Sequence, residues 1–181
     1  MIDNTYIAQA YKATPNAEVL GANVSAITGT LRDNNIKSII KKHNFDDIDT
    51  NTWYSQQLFL DLIKEIETAL SYEELVAIGM RGAEVVELPP NIEDFEDLPE
   101  AIVAAYGLNH RNTPAEEGYT LEKGEDIISI ICNIPYPSFI LYGYVYGLIK
   151  RFAKNSSRTY VVKVDESQTP YRINVEIRLN A

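Results

Sequence analysis

The chain has 181 residues, 45% hydrophobic and 23% charged, with a formal net charge of -10. That length suits one domain with a sizeable core, and the acidic balance argues against nucleic-acid backbones and anionic membrane surfaces as partners. A lone cysteine, Cys132, excludes an internal disulfide and a paired-cysteine zinc site.

Residues 1–12 lack the basic start and long apolar stretch of a secretory leader. The longest apolar run, 139–149, is too short to span a bilayer and ends at Lys150 and Arg151. A reduced, cytoplasmic setting is the expectation.

Tyr6, Ile7, Ala10 and Tyr11 suit a short helix. Residues 25–43 carry a helical pattern broken at Asp33, Asn34 and Asn35, with Ile36, Ile39 and Ile40 on one stripe. The clearest helix is expected over 52–70, where Leu58, Phe59, Leu62, Ile63, Ile66 and Leu70 repeat at helical spacing. Ser71 and Glu74 form a capping box for the next helix, which Leu88, Pro89 and Pro90 should stop. An acidic stretch leads to a further helix with Ile102, Val103 and Tyr106 inward and Gly107 as its stop. The acidic residues 84–100 lack the spacing of a calcium loop and read as a solvated linker.

After Gly118 the period changes. Tyr119 and Leu121, a turn at Gly124, and residues 127–132 predict a hairpin. Pro135 and Pro137 end its second strand, Ser138 is placed to cap a helix reaching Lys154, and residues 155–157 close that helix. Residues 160–164 and 171–179 alternate as two more strands. The prediction is an α+β fold: a helical N-terminal half, residues 20–111, packed on a C-terminal ββαββ unit, residues 116–180, with a four-stranded antiparallel sheet, all within a single domain.

Several short motifs recur in this order in a broad family: Trp53-Tyr54, Ile78-Gly79, Leu88-Pro89-Pro90, Tyr106 followed by Asn109-His110-Arg111, Asn133-Ile134-Pro135-Tyr136-Pro137, and Tyr142-Gly143. On them the chain resembles bacterial domains of the haem NO-binding (H-NOX) and 4-vinyl-reductase-like superfamily and, more distantly, TRAPP-type vesicle-tethering subunits. The resemblance spans residues 20–179 and implies small-molecule sensing, often within signalling proteins, and frequent dimerisation.

For H-NOX domains it also implies haem, held by a histidine one to two turns ahead of a tyrosine and by a Tyr-x-Ser-x-Arg motif for the propionates. Here the first stretch is Glu100, Ala101 and Ile102 ahead of Tyr106, and the second is residues 133–137, with no arginine. Metal-binding relatives carry cysteines after the turn and around the last hairpin. This chain has Ser138 after the turn and no cysteine over 167–171. The cofactor is therefore left unassigned, and no metal site is expected.

The 12 tyrosines are the clearest compositional signal. Trp53, Tyr106, His110, Tyr136 and Tyr142 are the candidate ligand-pocket residues, each with core packing as the alternative. His110 reads either as a ligand to a metal or haem iron or as a helix-end cap. His43 reads as a helix-end residue and Cys132 as a small core hydrophobe. Gly143 and Gly147 share a helix face that permits close packing, inside the domain or against a second copy. Phosphate loops, nucleophile elbows and HExxH motifs are absent.

The expected function is a non-catalytic small-ligand-binding or sensory domain without the family's haem ligation. The alternative is a structural adaptor or dimerisation module. Expected partners are an apolar or aromatic small molecule and a second copy or signalling protein.

Overall fold

The computed structural model describes residues 6–29, 31, 33–86, 92, 97–152 and 158–179. In chain order the elements are β1 (Glu18–Leu20), α1 (Gly21–Thr28), α2 (Asn34–Lys42), β2 (Trp53–Ser55), α3 (Gln56–Glu67), α4 (Tyr72–Val85), α5 (Leu98–Asn109), β3 (His110–Arg111), β4 (Gly118–Lys123), β5 (Ile127–Asn133), α6 (Ser138–Phe152), β6 (Arg158–Asp165) and β7 (Tyr171–Leu179). The second half is the expected antiparallel sheet, in the order β4-β5-β7-β6, with α6 connecting its two hairpins. The fold class is α+β. Among the described residues no helix is long and apolar enough to cross a membrane.

Local chemistry sets several boundaries. Asp33 caps α2 by accepting from the Asn35 and Ile36 amides, which explains the break read at 33–35. The Ser71–Glu74 capping box is formed in full at the start of α4. Its expected stop at 88–90 lies outside the described residues, as does the closure at 155–157. α5 runs through Gly107 to Asn109, because an open-facing glycine is tolerated in a helix that packing already holds.

Three departures share one cause. Residues 53–55 form a strand, with Ser55 capping α3. Residues 18–20 and 110–111 are also strands, and together they make a small sheet in the order β2-β1-β3. Strands of two or three residues have no readable period, and only long-range pairing creates them. Residues 6–12 are non-helical: Tyr11 has φ 62° and donates its amide to the Pro135 carbonyl at 2.8 Å. Leu58, placed inward by spacing, is 54% exposed, while Leu60 is fully buried.

α6 is covered on two sides, by α4 and by the β6–β7 face. At the α4 contact Gly79 and Gly143 meet backbone to backbone. A Cβ on Gly79 would collide with the Ile140 carbonyl, one on Gly143 with the Val76 carbonyl, and one on Gly147 would sit 2.8 Å from the Ala83 Cβ. The shared glycine face is therefore an internal seam. The sheet side is closed by Ile130, Ile173 and Val175, and Phe59, Leu60 and Leu62 of α3 complete the interior.

Candidate functional site

Tyr106 and His110 are four residues apart at the end of α5, so they project from one face. Their rings stack at 4.0 Å with 12° between planes. The chain leaves the helix at His110 in an extended conformation (φ -133°, ψ 146°), and β3 holds it opposite Val19 of β1. The small sheet thus fixes the histidine. Tyr136, in the turn between β5 and α6, packs edge-on against His110 at 5.5 Å. Tyr119 of β4 meets Tyr106 edge-on at 5.3 Å. Gly118 brings β4 under this cluster: its φ is +146°, and a Cβ there would lie 3.4 Å from the Tyr106 ring.

The polar atoms define one chain of hydrogen bonds. His110 Nδ1 lies 3.1 Å from the Tyr106 carbonyl oxygen. A carbonyl only accepts, so Nδ1 carries the proton and Nε2 is an acceptor. Tyr136 therefore donates its hydroxyl to Nε2 at 2.8 Å. Tyr106 donates to Glu117 Oε1 at 2.5 Å, and Tyr6 donates to Glu117 Oε2 at 2.8 Å. The Gln56 amide nitrogen, at the start of α3, donates to the Tyr106 hydroxyl oxygen at 3.3 Å and more distantly to Glu117 Oε1 at 3.5 Å. Gln56 Oε1 is buried without a hydrogen-bond partner among the described residues.

Burial decides the protonation states. It pulls His110 down to about 4, and the opposing bond to the Tyr106 carbonyl recovers only part of the loss. Tyr106 is pushed far up by burial, reinforced by Tyr136 and by the Glu117 carboxylate. Tyr136 is pushed up chiefly by burial. At neutral pH the histidine is uncharged and both tyrosines remain donors. Cys132, on the buried face of β5, has its thiol raised to about 12 by burial and donates to the Ile130 carbonyl.

A cleft of about 470 Å³ opens over this cluster. Tyr106, His110, Glu117 and Tyr119 line it, Val103, Pro114 and Ala115 add apolar wall, and Arg111 stands at its rim. Of the candidates from sequence, Tyr106, His110 and Tyr136 meet in one cluster. Trp53 lies beyond the rim, its ring covered at 4.5 Å by the Arg111 guanidinium, which also pairs with Glu18. Tyr142 is elsewhere, on α6, stacked on Tyr146 at 6.2 Å.

Glu117, Gln56 and Tyr6 were missed by sequence reasoning. Glu117 follows Glu116 before a glycine and reads as a solvated turn. Gln56 sits beside Gln57 and reads as an exposed helix start. Only the tertiary fold buries them.

These elements define an α+β domain with a helical half docked on a ββαββ sheet unit. Solved structures that share this fold include H-NOX proteins. One from S. oneidensis in the Fe(II) state aligns with TM-score 0.62 at 12% identity, covering 90% of this chain and 97% of that one. An H-NOX from Shewanella woodyi aligns at 0.58 and 15% identity, covering 86% and 93%. An oxygen-binding H-NOX domain related to soluble guanylate cyclases aligns at 0.53 and 10% identity, covering 89% and 93%. The shared feature is the fold. No protein-family model matches the sequence, and no curated protein matches it.

Proposed function

We propose that this chain is a non-catalytic, small-ligand-binding sensory domain whose ligand enters the cleft over Tyr106, His110 and Glu117. The observation that carries the reading is the cleft itself. An opening of about 470 Å³ ends on a buried carboxylate and stacked rings. That size suits a small ligand, with few polar groups fixing its orientation. The likeness to an oxygen-binding H-NOX domain supports sensing as the class of function.

The reading excludes haem held in the family manner. Heme is named for H-NOX structures of this fold, but the residues here do not fit it. Both His110 nitrogens are engaged. Ile102, ahead of Tyr106, is packed in the core. Asn133, at the start of the turn, binds the Tyr6 and Glu116 carbonyls and the Ala8 amide.

Absence of catalysis is supported by the same groups. The only thiol is buried and held protonated, and neither nitrogen of His110 is free to take a proton. Binding in the cleft would move the end of α5 and β3, and a partner protein would read that movement.

The test is a small-molecule screen by NMR on the purified chain, with haemin as one member. Ligands should shift Val103, Gly107 and Gly118, and haemin should give no Soret band that depends on His110. A saturable haemin complex lost in His110→Ala, or binding that maps only outside the cleft, would overturn the reading.

A further inference from the structure

Glu117 is 7% exposed, and its described partners are all neutral donors: two tyrosine hydroxyls and an amide. Buried carboxylates are ordinarily paired with a cation. The cationic side chain lining the cleft, Arg111, is engaged by Glu18 and stacked on Trp53. His110 lines the cleft too, but it is uncharged at neutral pH and both its nitrogens are engaged.

Gln56 is 0% exposed, and the oxygen of its amide has no partner among the described residues although the nitrogen joins the Glu117 cluster. An unfilled buried acceptor costs about 1–3 kcal/mol.

Both deficits call for hydrogen-bond donors, and Glu117 is the one that lines the cleft. Among the described residues Glu117 Oε2 has one donor, the Tyr6 hydroxyl, and so keeps lone-pair capacity. Gln56 Oε1 lacks a donor among the described residues. The last carbonyls of α5 end beside the cleft and add partial negative charge. The Tyr106, Tyr136 and Tyr6 hydroxyl protons are already directed to His110 or Glu117, so an anion would find none of them on offer. A metal ion is disfavoured because no group of three His, Cys, Asp or Glu converges among the described residues. An ammonium group brings a positive charge and three donors. Val103, Pro114 and Ala115 supply apolar surface for its carbon chain.

We propose that the cleft takes a small primary-amine cation, an alkyl or aralkyl ammonium, with Glu117 as its counter-charge. The proposal rests on the ligand-binding reading of this cleft and names the ligand class.

The experiment is NMR and calorimetric titration of the full chain with 2-phenylethylamine, 2-phenylethanol and phenylacetate. The amine should bind at least tenfold tighter than the alcohol and shift Val103, Gly107 and Gly118. Glu117→Gln should abolish that preference. Tyr6→Phe removes a competing donor from Oε2 and should tighten amine binding severalfold. The wild-type comparison and Tyr6→Phe decide the matter even if Glu117→Gln fails to fold. If the alcohol or phenylacetate shifts the cleft residues as tightly as the amine, the amine proposal falls and the ligand reading stands. If none of the three shifts them, the amine proposal falls, and the wider screen then decides the ligand reading on its own. An amine preference unchanged in Glu117→Gln also overturns the proposal.

Discussion

The α4–α6 seam and the cluster beneath the cleft are both buried, and they are held by opposite means. At the seam, glycines bring backbone against backbone, and the constraint is volume. In the cluster, Gln56, Tyr106, His110, Glu117 and Tyr136 are held by directed hydrogen bonds, and the constraint is pairing. A change of charge is irrelevant at the first and decisive at the second. A change of size has the reverse ranking.

The largest expected effect tests the volume constraint. Gly143→Ala forces a Cβ onto the Val76 carbonyl and should lower stability by about 3 kcal/mol, the upper part of the overpacking range. Urea denaturation measures it. A loss below about 1 kcal/mol would mean that the seam yields and that the contrast with the cluster is false.

Next is pH. The folded pKa of His110 is depressed from 6.5 to about 4, so the unfolded chain binds the proton more readily. Its contribution is fully present above pH 6.5 and is lost as pH falls toward 4. Between pH 7 and pH 5 the loss should be about 2 kcal/mol. His110→Gln should remove that component from the pH dependence of the urea midpoint. An unchanged slope would show that the imidazole is not buried as uncharged base.

Tyr136→Phe comes third. It keeps the ring but leaves His110 Nε2 without its donor, at a cost of about 1–2 kcal/mol. It should also raise the His110 pKa in an NMR titration, because the donor bond favours the neutral ring. The smallest effect is at the rim. Arg111→Ala removes an exposed pair with Glu18 and a stack on Trp53, worth about 1 kcal/mol or less, and should leave the His110 titration in place.

The same contrast explains what could be read from the chain. Ser71 with Glu74, Asp33, and the alternation of 160–164 and 171–179 are local signals, and the structure follows them. Tyr106, His110 and Tyr136 stood out because the chain has 12 tyrosines and only two histidines, and both side chains carry chemistry. Glu117 and Gln56 did not, because nothing in Glu116-Glu117-Gly118 or Gln56-Gln57 distinguishes a buried carboxylate or amide from a solvated one. They are brought together only by the long-range meeting of Tyr6, α3, α5 and the segment before β4, which leaves no local period. The seam was half legible: glycine spacing marked a close approach but could not say whether α4 or a second copy made it.

The bonds from residues 6–11 carry a kinetic consequence. Tyr6 reaches Glu117 across 111 positions, Asn133 reaches the Tyr6 carbonyl across 127, and the Ala8 amide reaches Asn133 across 125. Such distant closures cost chain entropy before they return contacts, so they form late in folding. They also rest on part-buried bonds, a kind that opens at lower cost than a buried core. Release of this N-terminal segment would take from Glu117 Oε2 its described donor, and none of these bonds touches the glycine seam.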